Sequence, residues 1–498
     1  MNDAYLARMD EGFRALGVAE KGTARASSGS ERLEREVAGF GALREPADAD
    51  AFFFEPFSTI STRAAPGDAS AADRWLRGPV DPAGARVKLS DLPLTCASLA
   101  PAGDGVVVGG TDHSVRLVTP ASATWGGKNE KKKNVEAGVV ELRGGHGEWV
   151  TCVARDATRG LVVSGGMDSK VCAWTQRQGA SRGSNSSRGS RGSSFLPPAV
   201  LEGHFGSVSD LAARDGLAAS ASYDKTVRLW RLATPKPGKP GPVATLRGHR
   251  APALRLALFA AREERSEEEK VSAADSDAAA PWRLASGDRD GAVLRWDAET
   301  ASLVSSRDAH EGHCTSLRWV LGADPHATPL LASGGQDGAA RFWDDRQERP
   351  VAAVDAHRQT RTRDGKRSVG AGAVSDIAQC AGSRRVVTAG ADGYACVLDL
   401  RARGNAAAAE FELEKVSSHA LGDFAYSLCV APGADVAFAG DGSGNVHCVD
   451  VAGVLSGGNP SVAFALGAHR GATRALVATR DGRLCAAGDD GCVASYEF

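Results

Sequence analysis

Short runs of small apolar residues recur along this chain, each broken by a tight polar turn and then resumed. Residues 331–346 (LASGGQDGAARFWDDR) show the unit: a small-residue strand, a turn ending in Asp337 and Gly338, and a second strand closing on Arg341, Phe342 and Trp343. The same pattern returns at 161–174 (LVVSGGMDSKVCAW), 217–230 (LAASASYDKTVRLW) and 284–296 (LASGDRDGAVLRW). Runs that stay apolar for several residues, rather than alternating, predict strands covered on both faces. The Asp-Gly and Asp-Lys dipeptides predict the hairpin turns between them. The expected class is therefore all-β, built from repeats.

With the turn residue as phase marker, Asp112, Asp168, Asp224, Asp290, Asp337, Asp392, Ser443 and Asp490 fall in equivalent places, 47 to 66 residues apart. A four-stranded propeller blade takes about 40–45 residues, so each unit has room for one blade plus insertions. The insertions stand out by composition. Residues 128–134 are basic, 181–194 interleave Arg, Gly and Ser, 261–280 are acidic and polar, and 358–367 are basic. All fall between landmarks, where length is tolerated cheaply, and are expected to be surface loops.

The landmarks resemble the WD40 repeat: Gly-His, a strand, Ser-x-x-x-Asp, then a strand ending in Trp. Gly145, His146, Ser164, Asp168 and Trp174 carry it, as do Gly203, His204, Ser220, Asp224 and Trp230. Gly248, His249, Ser286, Asp290 and Trp296 form a third copy, and Ala309, His310, Ser333, Asp337 and Trp343 a fourth. The resemblance implies a β-propeller over residues 86–498, with each His, Ser, Asp and Trp set joined in a buried hydrogen-bonded chain. Buried polar groups must be satisfied, which is why four such residue types travel together. A His-Asp-Ser set resembles a hydrolytic triad, but a catalytic site occurs once and these sets recur per unit.

Other units depart from the pattern. The first has Asp112 with Val118 in the Trp place; the sixth keeps His357, Thr388 and Asp392 with Leu398 there. The seventh has His419, Ala439, Ser443 and Val449, and the eighth His469, Ala486, Asp490 and Tyr496. These blades are expected to rest on apolar packing. The chain stops on the third strand of its last unit, so an outer strand is missing there, and residues 85–90 (ARVKLS) are placed to supply it. That closure gives eight blades; seven is the alternative.

Residues 1–85 lie outside the repeat and read as a partly disordered extension. Short helices are expected at 3–16 and 30–40, followed by a cluster of Phe52, Phe53, Phe54 and Phe57 that either packs on the body or docks a partner. The net charge of −2 gives no whole-chain case for nucleic acid. Ten cysteines without a single C-x-x-C argue for buried thiols in a reducing compartment rather than disulfides or zinc. No apolar run reaches the roughly 18 residues of a membrane span. A soluble protein of the cytoplasm or nucleus is expected.

Functional candidates follow from the rims. The glycines of 440–445 fall at a hairpin with no helix after them, so a phosphate loop is not expected. His310, His313 and Cys314 are landmark and strand residues rather than metal ligands. No enzyme activity, cofactor, metal, nucleic acid or membrane partner is expected. In the WD40 family the residue before the first inner strand faces the narrow end of the channel. Trp149 and His313 hold that position, with Phe424 near it, and are candidate anchors for partner proteins. The function expected is a non-catalytic interaction scaffold. The alternative rests on Trp343, Asp344, Asp345 and Arg346, a W-D-x-R box resembling that of substrate receptors of cullin-4 RING ubiquitin ligases. The resemblance implies that Arg346 contacts the ligase adaptor with Asp344 in support, and that Arg401, from the D-x-R at Asp399, extends the surface.

Overall fold

In the computed structural model the described residues are 71–498, apart from 102, 104, 120–122, 125–132, 135–137, 177–194, 233–241, 261–281, 321–328, 345, 364–365, 381–382 and 404–409. The expected helices at 3–16 and 30–40, the Phe52–Phe57 cluster, and the insertions at 181–194 and 261–280 lie outside them.

Eight four-stranded antiparallel sheets form the molecule, each strand pairing with the next from the inside outward. Blade 2 is typical, with Val150–Asp156, Leu161–Gly166, Val171–Thr175 and Ala199–Leu201 in order. Every residue of Leu161–Gly166 is buried, as is every residue of Val106–Gly110, Leu330–Gly335 and Val436–Asp441 in blades 1, 5 and 7. These are the uninterrupted small-residue runs of the sequence. Outer strands instead alternate, as in Gly138–Leu142, where one edge meets water.

The core is divided into eight parts. Each apolar cluster joins two neighbouring blades, from blades 1 and 2 around to blades 8 and 1. Small side chains such as Ala218, Ala219 and Ala221 let the sheets approach closely, with Trp174, Trp230 and Trp296 filling the wider outer part of their wedges. Alanine at these positions is thus a packing requirement.

The ring closes as expected. Ala85–Lys88 pairs with the last strand, Ala85 against Ser495 through Lys88 against Cys492, and completes blade 8 as its outer strand. Gly84 just before it has φ +60°, and a Cβ there would lie 2.7 Å from the Tyr496 ring. Eight blades, not seven, therefore use all the inner-strand triplets.

Two features are absent from the sequence reading. First, Ala71–Leu76 is a helix seated beneath blades 7 and 8. Its Trp75 is fully buried, with ring centroids 5.5 Å from Phe438 and 4.7 Å from Phe498. Second, residues 358–367, expected as a loop, belong to an antiparallel hairpin of Arg358–Arg363 and Lys366–Ala371 on the blade 6 connection. The Asp364-Gly365 dipeptide between alternating residues is a hairpin signal that the basic composition masked.

All eight inner strands carry a register shift at their second residue, between Leu94 and Cys96 in blade 1 and at matching places in every other blade. A β-bulge re-aims one side chain. Here it turns hydroxyls toward the next blade: Thr95 Oγ1 donates to Val150 O at 2.5 Å, Thr151 to Val208 O at 2.5 Å, Ser209 to Ala253 O at 2.6 Å and Thr315 to Val374 O at 2.5 Å. Arg255 Nε reaches Thr315 O at 2.5 Å between blades 4 and 5, and Ser427 reaches Thr473 O at 3.0 Å between blades 7 and 8. The inner ring is thereby stitched by side chains where no backbone ladder runs.

Truncating Trp75 would leave a cavity between two blades and the helix that covers them. Trp75→Ala is expected to cost about 3–5 kcal/mol, read as a lowered midpoint in chemical denaturation. A loss below about 1 kcal/mol would show that the helix is not docked in solution.

Candidate functional site

The His, Ser, Asp and Trp sets come together in four blades, with two corrections. In blade 3, His204 Nδ1 lies 2.8 Å from Asp224 Oδ2, His204 Nε2 lies 2.7 Å from Ser220 Oγ, and Trp230 Nε1 donates to Ser220 Oγ at 2.8 Å. An indole nitrogen only donates, so the Ser220 hydroxyl is left to donate to His204 Nε2. Nδ1 then carries the ring proton toward Asp224, which makes His204 neutral and Asp224 ionised. The electrostatics agree: burial pushes the His204 pKa down. Burial also opposes the Asp224 charge, but bonds from Thr226 and His204 outweigh it and hold the carboxyl at about 2. Blade 5 repeats the arrangement, with His310 3.0 Å from Asp337 and 2.8 Å from Ser333, and Trp343 donating to Ser333 at 2.9 Å.

The first correction is in blade 4, where the carboxylate is Asp288 and not Asp290. His249 Nδ1 lies 2.9 Å from Asp288 Oδ2, with Ser286 at 2.6 Å and Trp296 donating to Ser286 at 2.7 Å. The reason is steric. In blades 2, 5, 6 and 8 the equivalent position is Gly166, Gly335, Gly390 or Gly488, where a Cβ would come within 2.2–2.5 Å of the histidine ring. Blade 3 has the small Ser222 there and keeps its turn carboxylate, whereas the Asp288 side chain reaches the ring itself and takes over the bond. Blade 7 does the same with Asp441, which meets His447 at 2.8 Å, while His419 only reaches Ser417 and the expected turn residue Ser443 serves Asp441.

The second correction is in blade 2. His146 meets Asp168 at 3.0 Å and Ser164 at 2.6 Å, but the buried Trp174 Nε1 has no hydrogen-bond partner. In blade 6, His357, Thr388 and Asp392 form a three-member chain over the buried Leu398, fuller than the apolar packing expected there.

The channel-face candidates are placed by a backbone bond common to all eight blades, from the hairpin turn to the residue before the inner strand. Met167 N donates to Trp149 O at 2.8 Å, Gln336 N to His313 O at 2.9 Å, and Gly442 N to Phe424 O at 2.9 Å. Trp149 and His313 are half-buried, and Phe424 is exposed. They sit on blades 2, 5 and 7, so they do not form one patch. Sequence reasoning missed their better-exposed companions Phe205 and Tyr223 on blade 3. Phe205 directly follows the landmark His204, two residues short of the position that marks the channel face, so the repeat pattern does not single it out.

On the opposite face Asp344 is buried while Arg346 stays half-exposed. Arg346 Nη2 donates to Asp344 Oδ2 at 2.7 Å and Nε to both oxygens at 3.2 Å; the Arg346 backbone N adds a bond of 3.0 Å. Asp344 is thus a clamp that aims the guanidinium; burial opposes its charge, but the Arg346 bonds hold its carboxyl below the usual range. Blade 6 repeats the device, with Arg401 Nε and Nη2 at 3.0 and 2.9 Å from Asp399 Oδ2. Arg401 also approaches Glu414 at 3.5 Å, which offsets part of its charge.

Among the described residues no group of three or more His, Cys, Asp and Glu side chains is arranged to hold a metal ion. No described helix is long and apolar enough to cross a membrane.

Asp288→Asn turns one of two acceptor oxygens into an N–H2 donor, so either His249 or the turn N–H groups of Asp290 and Ala292 lose their acceptor, and it is expected to cost about 1–3 kcal/mol. Asp290→Asn, two residues away at the exposed turn, should stay within about 0.5 kcal/mol. Parallel thermal melts check the pair, and equal losses would restore Asp290 to the chain.

Comparison with known proteins agrees with this geometry. The family model described as WD domain, G-beta repeat matches residues 139–175, 196–231 and 301–344, which fall on blades 1 to 5. A mitochondrial division protein 1 from Pyricularia oryzae is 36% identical over 94 residues, 19% of this chain and 12% of that protein, so the match spans about an eighth of the relative's length. Among solved structures, Sqt1 of Saccharomyces cerevisiae superposes with a TM-score of 0.60 at 13% identity, over 83% of this chain and 98% of that one. The computationally designed Ika8 protein gives 0.54 at 18% identity, over 82% and 97%. At these identities the two structures speak for the fold alone. With the repeat model on its landmarks and eight sheets in a closed ring, the chain carries WD40 repeats and folds as an eight-bladed β-propeller.

Proposed function

We propose that this propeller is a non-catalytic scaffold that holds partner proteins on its two rims. The observation that carries the reading is a division of labour among side chains. The histidines, aspartates and hydroxyls of the His-Ser-Asp sets are spent inside blades, whereas Phe205, Tyr223 and Phe424 are turned to solvent on the same face as Trp149. Aromatic side chains on a rigid rim supply contact area at low conformational cost. Residues 86–498 are the binding body in this reading and residues 1–85 an extension to it. Ten cysteines without a disulfide favour the cytoplasm or nucleus as the site of action.

A second reading is substrate reception for a cullin-4 RING ubiquitin ligase. It is favoured by one specific observation, the pair of Asp–Arg clamps at Asp344/Arg346 and Asp399/Arg401 on the face opposite Trp149. Each presents a half-exposed guanidinium pre-set by its own carboxylate, a geometry suited to a carboxylate-bearing partner.

One experiment separates the two. The intact chain, a Trp149→Ala/Phe424→Ala variant and an Arg346→Ala variant are purified from cells with their partners after cross-linking. The scaffold reading expects the rim variant to lose partner proteins by about tenfold. The ligase reading expects Arg346→Ala to lose the cullin-4 adaptor alone. Identical partner sets from the intact chain and the rim variant would contradict the first, and no adaptor on the intact chain the second.

A further inference from the structure

Blades 1, 3 and 5 each place an arginine four residues after the turn aspartate. In blade 1, Arg116 pairs with Asp112 at 2.7 Å, and in blade 5, Arg341 pairs with Asp337 at 2.7 Å. Blade 3 differs. Asp224 has both oxygens occupied: Oδ2 by His204 Nδ1 at 2.8 Å and the Phe205 N–H at 3.1 Å, Oδ1 by the Thr226 hydroxyl at 2.6 Å and N–H at 2.9 Å. Blade 5 has Ala339 where blade 3 has Thr226, and blade 1 has no landmark histidine, so in each of those one oxygen is left for arginine. Blade 3 carries both competitors, and its arginine is displaced.

Arg228 is the result. Its backbone belongs to the sheet and the residue is 6% exposed, but its buried Nε has no partner and its guanidinium makes no hydrogen bond or ion pair with another described residue. A guanidinium carries five donors and cannot shed its charge, so burial without an acceptor is unfavourable. The side chain rises past Gly203, where a Cβ would lie 2.5 Å from its Nη1, toward the channel face. Its cover there is Phe205, whose ring is 5.8 Å away and which is itself 90% exposed. The charged groups acting on it are Asp224, already saturated, and Arg247 on the facing outer strand; Glu202 and Lys225, near it in sequence, are exposed. Tyr223, 39% exposed, adds apolar surface on the same turn.

We propose that Arg228 and Phe205 form a subsite for an acidic side chain on a linear segment of a partner protein. The Phe205 ring turns aside, the carboxylate pairs with the guanidinium that Asp224 leaves unpaired, and an apolar neighbour of the acidic residue packs on Phe205 and Tyr223. The subsite rests on the scaffold reading and gives it a partner chemistry: an acidic residue beside an apolar one.

The test pans a phage library of random peptides, about 12 residues long, on the intact immobilised chain, then measures affinities of selected peptides by fluorescence anisotropy. Selected peptides are expected to share an Asp or Glu next to an apolar residue. Arg228→Gln should weaken them about tenfold or more, Phe205→Ala should weaken them too, and Arg346→Ala on the other face should not. Replacing the peptide acid by its amide should cost as much as Arg228→Gln and add nothing to it. Thermal melts of Arg228→Gln report folding directly; since no native bond is lost, its midpoint should not fall. Peptides that bind without an acidic preference, or equally well to Arg228→Gln, overturn the subsite and leave the scaffold reading intact. Failure to select any peptide that competes at the channel-face rim overturns both.

Discussion

The structure depends on one pairing between the ends of its ring, Ala85–Lys88 against Cys492–Ser495. Eight sheets arranged around an axis bury their apolar faces only if every sheet has two neighbours, and a linear array would leave the first and last exposed. The last unit has only three strands from its own stretch of chain, so its edge would also stand open to another molecule. One short strand from before the first blade answers both problems. Leu94, Val106 and Val108 of blade 1 can then pack on Cys485, Ala487 and Val493 of blade 8. The helix of Trp75 lies a few residues before this strand and packs on the same two final blades, so the closing segment is held along its length.

Inside that frame, polarity is used for geometry. Each histidine chain fixes how an outer loop approaches its own sheet, and the bulged inner strands fix how neighbouring sheets approach each other. The chains are interchangeable in detail: Asp288 and Asp441, at the position glycine holds in four other blades, supply the carboxylate that the turn residue supplies elsewhere. The same saturation logic explains why Arg116 and Arg341 are paired and Arg228 is not. Small local differences between otherwise equivalent blades are therefore where individuality enters this repeat protein, and with it the chemistry of a particular partner.

Much of the fold was legible because the signal is repeated. Buried second strands must be continuous in small apolar residues, and the Gly-His, Ser, Asp and Trp landmarks then fall at constant offsets from them. What stayed hidden needed register or a third dimension. Spacing alone cannot say which of Asp288 and Asp290 reaches His249, since either suits the count. Thr95, Thr151 and Thr315 look like ordinary strand residues until a bulge turns their hydroxyls toward the next blade. Trp75 is a lone aromatic in a polar stretch, so no periodicity announced it. The candidate site was legible only in part: the W-D-x-R box picks out Asp344 and Arg346 but not the clamp between them, and Trp149, His313 and Phe424 sit on blades 2, 5 and 7 rather than in one patch. Phe205 and Arg228 matter because of what Thr226 takes from Asp224, and no pattern of residue types states that.

Closure is the central claim, and amide hydrogen exchange of the intact chain followed by mass spectrometry addresses it most directly. If the first strand completes the last blade, amides of Ala85–Lys88 exchange as slowly as those of Cys492–Glu497, since one opening event exposes both. Exchange of Ala85–Lys88 at the rate of free amides, with Cys492–Glu497 still protected, would show that the ring is not closed in this way.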